Sequence, residues 1–222
     1  MDTERRGVPA GLEVVRAQLR HVYWIGGGSG SGKSTIARRL AAAHHPLRLY
    51  ATDEVMEDHA RRSTPERSPF LTRFMAMDMD ERWVNQSPQA MLETFHWFRG
   101  EGFELIVEDV LGLPRKPSVI AEGFRLLPHL VKPLLAASRQ AVWLLPTPAF
   151  RLAAFESRGS SWAIASKTND PKRALRNLLE RDRMFTDRLH EEANRLDLRV
   201  IGVDTTVTED DLAEEVREAF GL

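Results

Sequence analysis

With 222 residues, of which 42% are hydrophobic and 28% charged, the chain has the size and composition of a soluble globular protein with one sizeable domain. The formal net charge of −1 gives no overall basic field that could hold a phosphate backbone, so nucleic acid is not an expected partner. The sequence has no cysteine, no apolar segment behind its charged N-terminus and no run of about 18 apolar residues, which excludes disulfides and thiolate metal sites and predicts a cytoplasmic protein without a signal peptide or a membrane span.

The first hundred residues predict two strands, each followed by helical structure. A short helix is expected over 9–20, and a buried strand over 21–25 runs directly into glycines. A helical pattern then covers 33–44, and a second strand is predicted over 47–52. Residues 54–100 are expected to be mostly helical, with breaks at the Ser-Pro pairs Ser68-Pro69 and Ser87-Pro88.

Two segments compete to form the third strand, 105–107 and 119–121. They cannot both be parallel strands of one sheet, because a crossover between parallel strands needs about a dozen residues or more. The apolar residues of 103–112 recur at i, i+3, i+4, i+7 and i+8, which is the stripe of a helix. We therefore predict a helix over 103–112 and a strand over 118–122.

The second half of the chain continues the alternation. Helical structure is expected over 126–137, a strand over 141–145, a long charged helix over 171–196 and a strand over 198–203. Thr208 is predicted to begin the last helix, with Asp211 at the position of a capping box. Strands that alternate with helices indicate a parallel sheet covered on both faces.

The segment from Gly27 to Ser34 matches the P-loop pattern G-x-x-x-x-G-K-[ST] at every fixed position. Its glycines let successive backbone N–H groups point inward and cradle an anion, and the helix that begins near Lys33 adds its positive N-terminal dipole. The Lys33 amine reaches β- and γ-phosphates in such a loop, and the Ser34 hydroxyl is a ligand for Mg²⁺. The predicted nucleotide-binding residues are Gly27, Gly28, Ser29, Gly30, Ser31, Gly32, Lys33, Ser34 and Thr35.

The P-loop on the first strand, an acidic residue after the second and an arginine-bearing segment after the fourth together resemble the nucleoside monophosphate kinase-like group of P-loop phosphotransferases. That group includes shikimate and gluconate kinases, chloramphenicol phosphotransferase and the zeta-toxin sugar-nucleotide kinases. The resemblance covers residues 20–222 and implies a single α/β domain over 1–222, a three-layer sandwich whose five-stranded parallel sheet has the order 2-3-1-4-5. It further implies ATP and Mg²⁺ at the carboxyl ends of the strands, a helical acceptor-binding insert at 54–112 and a lid at 151–185.

The chain departs from the better-defined members of this group. It has no glycine triplet after the third strand, as shikimate kinases have, and no aspartate–glycine–aromatic–proline–arginine string, as adenylate kinases have. Both substrates are therefore disfavoured, and the acceptor is not identified by a motif.

Asp53 matches the acidic position after the group's second strand, where the resemblance implies contact with the acceptor hydroxyl or the metal. A carboxylate that faces the γ-phosphate orients a hydroxyl and takes its proton. The alternative is a purely structural helix N-cap at the start of residues 53–56.

The metal carboxylate is expected at Glu122, because it follows the apolar run Val119-Ile120-Ala121 as the acid of a Walker B strand does. Glu108 and Asp109 form a rival pair after 105–107. Since that run is predicted to be helical, a solvated helix surface or a wall of the substrate site is the preferred interpretation of the pair.

Arginines of the predicted lid would bind the charge that spreads over phosphoryl oxygens during transfer. Arg158, just before a glycine-serine segment that could act as a hinge, is the first candidate, and Arg151 and Arg181 follow. The same segment carries many acidic residues, so part of it is equally well explained as a salt-bridged exposed helix.

The leading hypothesis is an ATP-dependent phosphotransferase that acts on a small-molecule acceptor, as a monomer or homodimer. A regulatory NTPase that works through a protein partner is the alternative from another class.

The predicted insert contains candidates for binding the acceptor. Four arginines could bind an anionic group of the acceptor, and three ring-bearing side chains could stack on one of its rings, although a role in the core is the simpler explanation for these three. These candidates are Arg61, Arg62, Arg73 and Arg82, and Trp83, His96 and Trp97.

Overall fold

A five-stranded parallel sheet forms the centre of the protein, with the strands in the order β2-β3-β1-β4-β5. The computed structural model describes residues 10–43, 47–151, 153 and 160–222. This sheet confirms the predicted fold class and strand order. The strands are β1 (Val22–Gly27), β2 (Leu47–Ala51), β3 (Ser118–Glu122), β4 (Ala141–Pro146) and β5 (Arg199–Val203).

The third strand is Ser118–Glu122, as we predicted once the helical spacing had assigned 103–112 to a helix. Strand β3 pairs with β1 on one side and with β2 on the other, while Phe103–Gly112 forms a helix that buries Ile106 and Val110 completely. The apolar run 105–107, taken alone, was compatible with a strand. The spacing of the apolar residues over all of 103–112 correctly predicted a helix.

The helices that surround the sheet begin near the predicted positions. Ser68 and Ser87 are the N-caps of two helices in the insert, each followed by proline in the first turn, which confirms the predicted breaks. The Thr208 hydroxyl caps the last helix by accepting a hydrogen bond from the backbone N–H of Asp211. The helices are α1 (Ala10–Gln18), α2 (Lys33–Ala43), α3 (Met56–Arg62), α4 (Pro69–Ala76), α5 (Met79–Trp83), α6 (Pro88–Thr94), α7 (Phe103–Gly112), α8 (Pro128–Val131), α9 (Ser160–Ala165), α10 (Pro171–Arg195) and α11 (Glu209–Phe220).

Apolar side chains fill both faces of the sheet, because neighbouring residues of a strand point to opposite sides. Trp24 and Trp143 lie in a core on one face, together with residues of α7 and α10. Ile25 and Leu144, their neighbours along the chain, lie in a second core with residues of α2 and α11. Both faces are therefore covered, as the strand–helix alternation predicted.

Helix α10 connects the sheet to the helical insert. Phe185 and Leu189 belong to the core beside the sheet, whereas Ala174 and Leu178 pack with Trp83 of α5 in a separate apolar cluster. Residues 171–185 of the predicted lid are therefore part of a continuous helix that packs on the rest of the protein. In the described part of the chain, no helix combines the length and hydrophobicity that a membrane span requires.

Candidate functional site

Three segments meet at the carboxyl edge of the sheet because their strands are parallel neighbours in register. Glu122 pairs with Ile25 of β1 and with Ala51 of β2. The ladder extends past the strand ends, since the Thr52 N–H donates to the Glu122 carbonyl at 2.9 Å. The P-loop, Asp53 and Glu122 thus lie at the same edge, although they are far apart in sequence.

The P-loop has the backbone conformation that its glycines permit. Gly27, Gly30 and Gly32 have φ values of 138°, 78° and 81°, which other residues rarely adopt. A side chain at Gly27 would also place its Cβ 2.0 Å from the Leu144 carbonyl oxygen. Helix α2 begins at Lys33, so its N-terminal dipole points into the loop.

Lys33 lies within the loop and is only 8% exposed. Its amine donates to the Gly28 carbonyl at 2.7 Å and to the Ser31 hydroxyl at 3.3 Å. These contacts hold the ammonium group inside the anion cradle, where β- and γ-phosphates of a nucleotide would lie in a loop of this type.

Glu122 and Ser34 place a carboxylate and a hydroxyl side by side at the P-loop. Burial raises the pKa of the Glu122 carboxyl, and this is opposed by the Lys33 charge and by a hydrogen bond from the Ser34 hydroxyl. The Oε2 atom of Glu122 is buried and has no hydrogen-bond partner among the residues that the structure describes. A buried carboxylate oxygen without a donor, beside a hydroxyl, fits a hard cation such as Mg²⁺.

The described residues contain no group of three or more His, Cys, Asp or Glu side chains that could hold a metal ion. That finding agrees with Mg²⁺ in phosphotransferases, where one or two protein oxygens share the ion with waters and substrate phosphates. Ser34 and Glu122 are therefore the residues that would hold such an ion in this chain.

Asp53 is exposed, in a turn directly after β2. Helix α3 begins only at Met56 and its N-cap is Val55, so the N-cap interpretation of Asp53 is wrong. The Asp53 charge acts on both Glu122 and the buried Arg125. Asp53 therefore presents an exposed carboxylate at the carboxyl edge of the sheet and does not cap helix α3.

Sequence patterns did not reveal Arg125, which is 2% exposed and lies behind the site. Its Nη2 donates to His59 Nδ1 at 2.9 Å and to the Gly102 carbonyl at 3.2 Å, and its Nη1 contacts the Thr52 carbonyl at 3.4 Å. Its guanidinium stacks 4.0 Å above the Trp97 ring. Burial lowers the pKa of Arg125 to about 10, so it stays charged at neutral pH.

Asp109 belongs to the same network rather than to the phosphate loop. It accepts hydrogen bonds from the Tyr50 hydroxyl, His59 Nε2 and Arg62, each at 2.8 Å. Burial would raise the pKa of Asp109, but these hydrogen bonds outweigh it and lower the pKa. Because Arg125 donates to the Nδ1 of His59, the Nε2 carries the proton that is donated to Asp109. Glu108 is exposed and pairs with Arg62, so both acids of the rival pair have structural partners.

The arginines predicted for the lid have different surroundings. Arg158 lies outside the described residues. Arg151 is 6% exposed in the helical segment that follows β4, and its Nη1 lies 3.5 Å from the Asp182 carbonyl. Arg181 is also buried and makes a two-donor contact with the Asp182 carboxylate, at 3.0 and 2.6 Å. Arg151 and Arg181 thus converge on Asp182 of helix α10.

Helix α10 reaches the P-loop about one turn beyond Asp182, at Thr186. The Thr186 hydroxyl lies so near that a Cβ on Gly28 would be 2.5 Å from it. Arg181 and the P-loop are therefore on the same side of the protein, and the role of this arginine in binding phosphoryl oxygens stays a prediction.

A cavity of about 460 Å³ opens beside the P-loop, with Ser29 of the loop in its wall. Met56 and Phe124, which closely follow Asp53 and Glu122 in sequence, line the same cavity. Helix α10 contributes Arg181. Helix α9 contributes Ile164. The remaining lining residues that the structure describes come from the insert and are mainly aromatic: Phe74, Trp83, Phe95, His96, Trp97 and Phe98.

Some of the residues predicted to bind the acceptor line the cavity beside the P-loop, and others do not. Trp83, His96 and Trp97 all line it. None of the four arginines that were candidates for binding an anionic group does: Arg61 and Arg62 pair with acids, Arg82 donates to the Phe74 and Met75 carbonyls, and Arg73 is exposed.

We expect His96 to make the stability of the protein depend on pH. Burial, together with the charges of Arg125, Arg82 and Arg181, lowers the pKa of His96 to about 3 from 6.5. Between these values the unfolded chain binds a proton that the folded chain excludes, so the free energy of unfolding falls as the pH is lowered. His96→Phe keeps an aromatic ring in the cluster and removes this pH dependence. We expect the free energy of unfolding of wild type to fall by about 2 kcal/mol more than that of the variant between pH 7 and pH 5.

Urea denaturation of both proteins at pH 7 and pH 5 measures this effect. His59, whose pKa burial also lowers, is present in both proteins, so the difference isolates His96. An equal loss of stability in the two proteins would show that His96 is not held neutral.

No protein-family model and no curated protein sequence matches the chain. Similar solved structures include an uncharacterized protein from Eubacterium ventriosum (15% identity, 90% of this chain and 97% of the other, TM-score 0.46). They also include thymidylate kinase from Candida albicans (16%, 91% and 91%, TM-score 0.47) and a protein from Thermus thermophilus (16%, 90% and 96%, TM-score 0.44). With identities below 25% and TM-scores below 0.5, no conclusion about the function of this chain follows from these similarities.

Proposed function

We propose that this protein is an ATP-dependent phosphotransferase that transfers the γ-phosphoryl group to a small molecule held in the cavity beside the P-loop. The observation that carries the proposal is the position of Ser29, which belongs to the P-loop and also lines the cavity. A ligand in the cavity would therefore contact the loop that binds the phosphates. The volume of about 460 Å³ is within the range of small-molecule sites.

On the donor side, the inward-facing backbone of Gly27–Ser34 and the Lys33 ammonium group would bind the phosphates. Ser34 and Glu122 would hold Mg²⁺, which neutralises charge on the phosphate oxygens when it is bound. The unpartnered Oε2 of Glu122 supports this assignment.

On the acceptor side, we assign Asp53 the role of orienting the hydroxyl and accepting its proton. The hydroxyl oxygen forms a bond to the γ-phosphorus while the bond from that phosphorus to the β–γ bridging oxygen breaks, and ADP leaves. The proton of the hydroxyl passes to the Asp53 carboxylate. Arg158 and Arg151 are proposed to bind the charge that develops on the transferred group, with Arg158 supplied by the lid.

A regulatory NTPase that works through a protein partner needs the donor half of the site but no small-molecule cavity against the loop. The cavity wall formed by Ser29 and the insert therefore favours the phosphotransferase. A partner-dependent NTPase would hydrolyse ATP slowly and release no additional ADP when acceptors are added.

The test is ADP release measured against a panel of hydroxyl-bearing acceptors, including sugars, nucleosides, cofactor precursors and antibiotics. Lys33→Ala serves as the blank, because it removes the ammonium group from the phosphate cradle. We expect at least one acceptor to raise ADP release by wild-type protein and not by the blank. If no member of a broad panel does so, the regulatory alternative is favoured.

A further inference from the structure

We propose that the acceptor is an uncharged alcohol with an aromatic or similarly flat apolar body, rather than a phosphorylated or carboxylated molecule. This inference rests on the proposed function and names the substrate class of the same cavity. It follows from the aromatic rings that form the cavity walls, and from the finding that the basic side chains among the described lining residues are either ion-paired or uncharged.

Flat apolar side chains dominate the cavity surface. Phe74, Trp83 and Phe95 form a contiguous group with ring centroids 5.3 to 6.3 Å apart, mostly edge to face or tilted. Such rings offer faces and edges that pack well against another ring or a flat apolar body, and they exclude water from it. A strongly hydrated sugar or phosphate would lose its hydration there without replacement.

The one arginine among the described lining residues has no net charge to offer. The Nε and Nη2 atoms of Arg181 bind the Asp182 carboxylate, which is 7% exposed and neutralises the guanidinium within the protein. The remaining Nη1 is buried and has no hydrogen-bond partner among the described residues. Because the guanidinium is paired within the protein and its last donor is buried, it gives an anionic ligand no charge to bind in the cavity.

His96 contributes an uncharged ring to the cavity wall. The ring is 2% exposed, its Nδ1 is buried without a hydrogen-bond partner in the described part of the chain, and its low pKa keeps it neutral at physiological pH. Glu57 brings a negative charge to the exposed part of the cavity wall, which further disfavours an anion. Within the described lining, no unpaired cation therefore faces the ligand.

The experiment measures the charge preference of the cavity without requiring turnover. The neutral fluorophore N-phenyl-1-naphthylamine is bound to the full-length protein and then displaced by three molecules that share one ring system: 2-naphthalenemethanol, 2-naphthoate and 2-naphthalenemethylammonium. We expect the alcohol to displace half of the fluorophore at a concentration about tenfold lower than either ion, because burial of an unpaired charge is costly. Equal or better displacement by the carboxylate overturns the inference.

Two tryptophan substitutions on helix α3 locate the binding. Ala60 lines the cavity, so Ala60→Trp fills it, whereas the Arg61 side chain is 70% exposed and Arg61→Trp adds similar bulk outside. We expect fluorophore affinity to fall about tenfold or more in the first variant and to stay unchanged in the second. Binding of a fluorescent ADP analogue checks that the P-loop is intact, and Ala60→Phe replaces Ala60→Trp if the larger residue prevents folding. Equal affinity in wild type and the filled variant overturns the inference.

The two proposals fail in different ways. Loss of the charge preference, with acceptor-dependent ADP release still observed, overturns the substrate class and leaves the phosphotransferase. A retained preference for the neutral alcohol, with no ADP release from a panel that includes uncharged aromatic alcohols, overturns the phosphotransferase and with it the acceptor assignment.

Discussion

Asp53→Asn is expected to reduce acceptor-dependent ADP release by about 10²-fold or more while ATP affinity changes less than about twofold. The amide keeps the size of the side chain but cannot take the proton of the acceptor hydroxyl. Asp53 is exposed and caps no helix, so the exchange should not disturb the fold. Steady-state turnover with the best acceptor of the panel, together with binding of a fluorescent ATP analogue, measures both quantities.

Glu54→Gln is the matched control for this prediction. Glu54 is the next residue, is also exposed, and loses the same charge when it is replaced. We expect its turnover to remain within about twofold of wild type. Unchanged turnover in Asp53→Asn would remove Asp53 from the mechanism, and an equal loss in both variants would point to a general effect of negative charge.

Arg125→Met is expected to lower the free energy of unfolding by about 2–6 kcal/mol, since each buried acceptor that loses its donor costs about 1–3 kcal/mol. The side chain is buried, so its removal leaves His59 Nδ1 and the Gly102 carbonyl without their donor and removes the guanidinium from the Trp97 ring. Chemical denaturation of wild type and variant by urea measures the difference.

Arg183→Met provides the control, since Arg183 is exposed and bonded only to exposed acids in the described structure. We expect it to cost less than about 1 kcal/mol. Arg125→Lys retains the charge with a single donor centre, so its stability should lie between wild type and Arg125→Met, and this variant answers the question if Arg125→Met does not fold. A loss below about 1 kcal/mol in Arg125→Met would show that the network is not important for stability.

Much of the fold was predictable because its signals are local. The P-loop pattern from Gly27 to Ser34, the helical spacing of 103–112 and the Ser-Pro breaks each depend on a few consecutive residues. The strand order itself came from the resemblance to a known group, and it is the order of the sheet.

For the candidate site, the sequence predicted the positions of the proposed nucleotide-binding residues but not those of the acceptor-binding residues. Gly27–Ser34 and Glu122 lie together at the carboxyl edge of the sheet, where the parallel register brings them. Arg158, by contrast, lies outside the described residues, and its role stays a prediction. The four arginines proposed to bind an anionic acceptor lie outside the cavity wall, since acids, carbonyls or solvent surround them instead.

The sequence by itself determined that a loop with the P-loop pattern lies at the end of the first strand, because the conformation of that loop needs only its own glycines and the helix that follows. The tertiary structure decided which polar groups are buried and what they meet. Arg125 and His59 are 66 residues apart, and Ser29 shares a cavity with Arg181. Whether an arginine is neutralised, stacked or exposed depends on partners that packing brings from distant segments, and no local spacing records those partners.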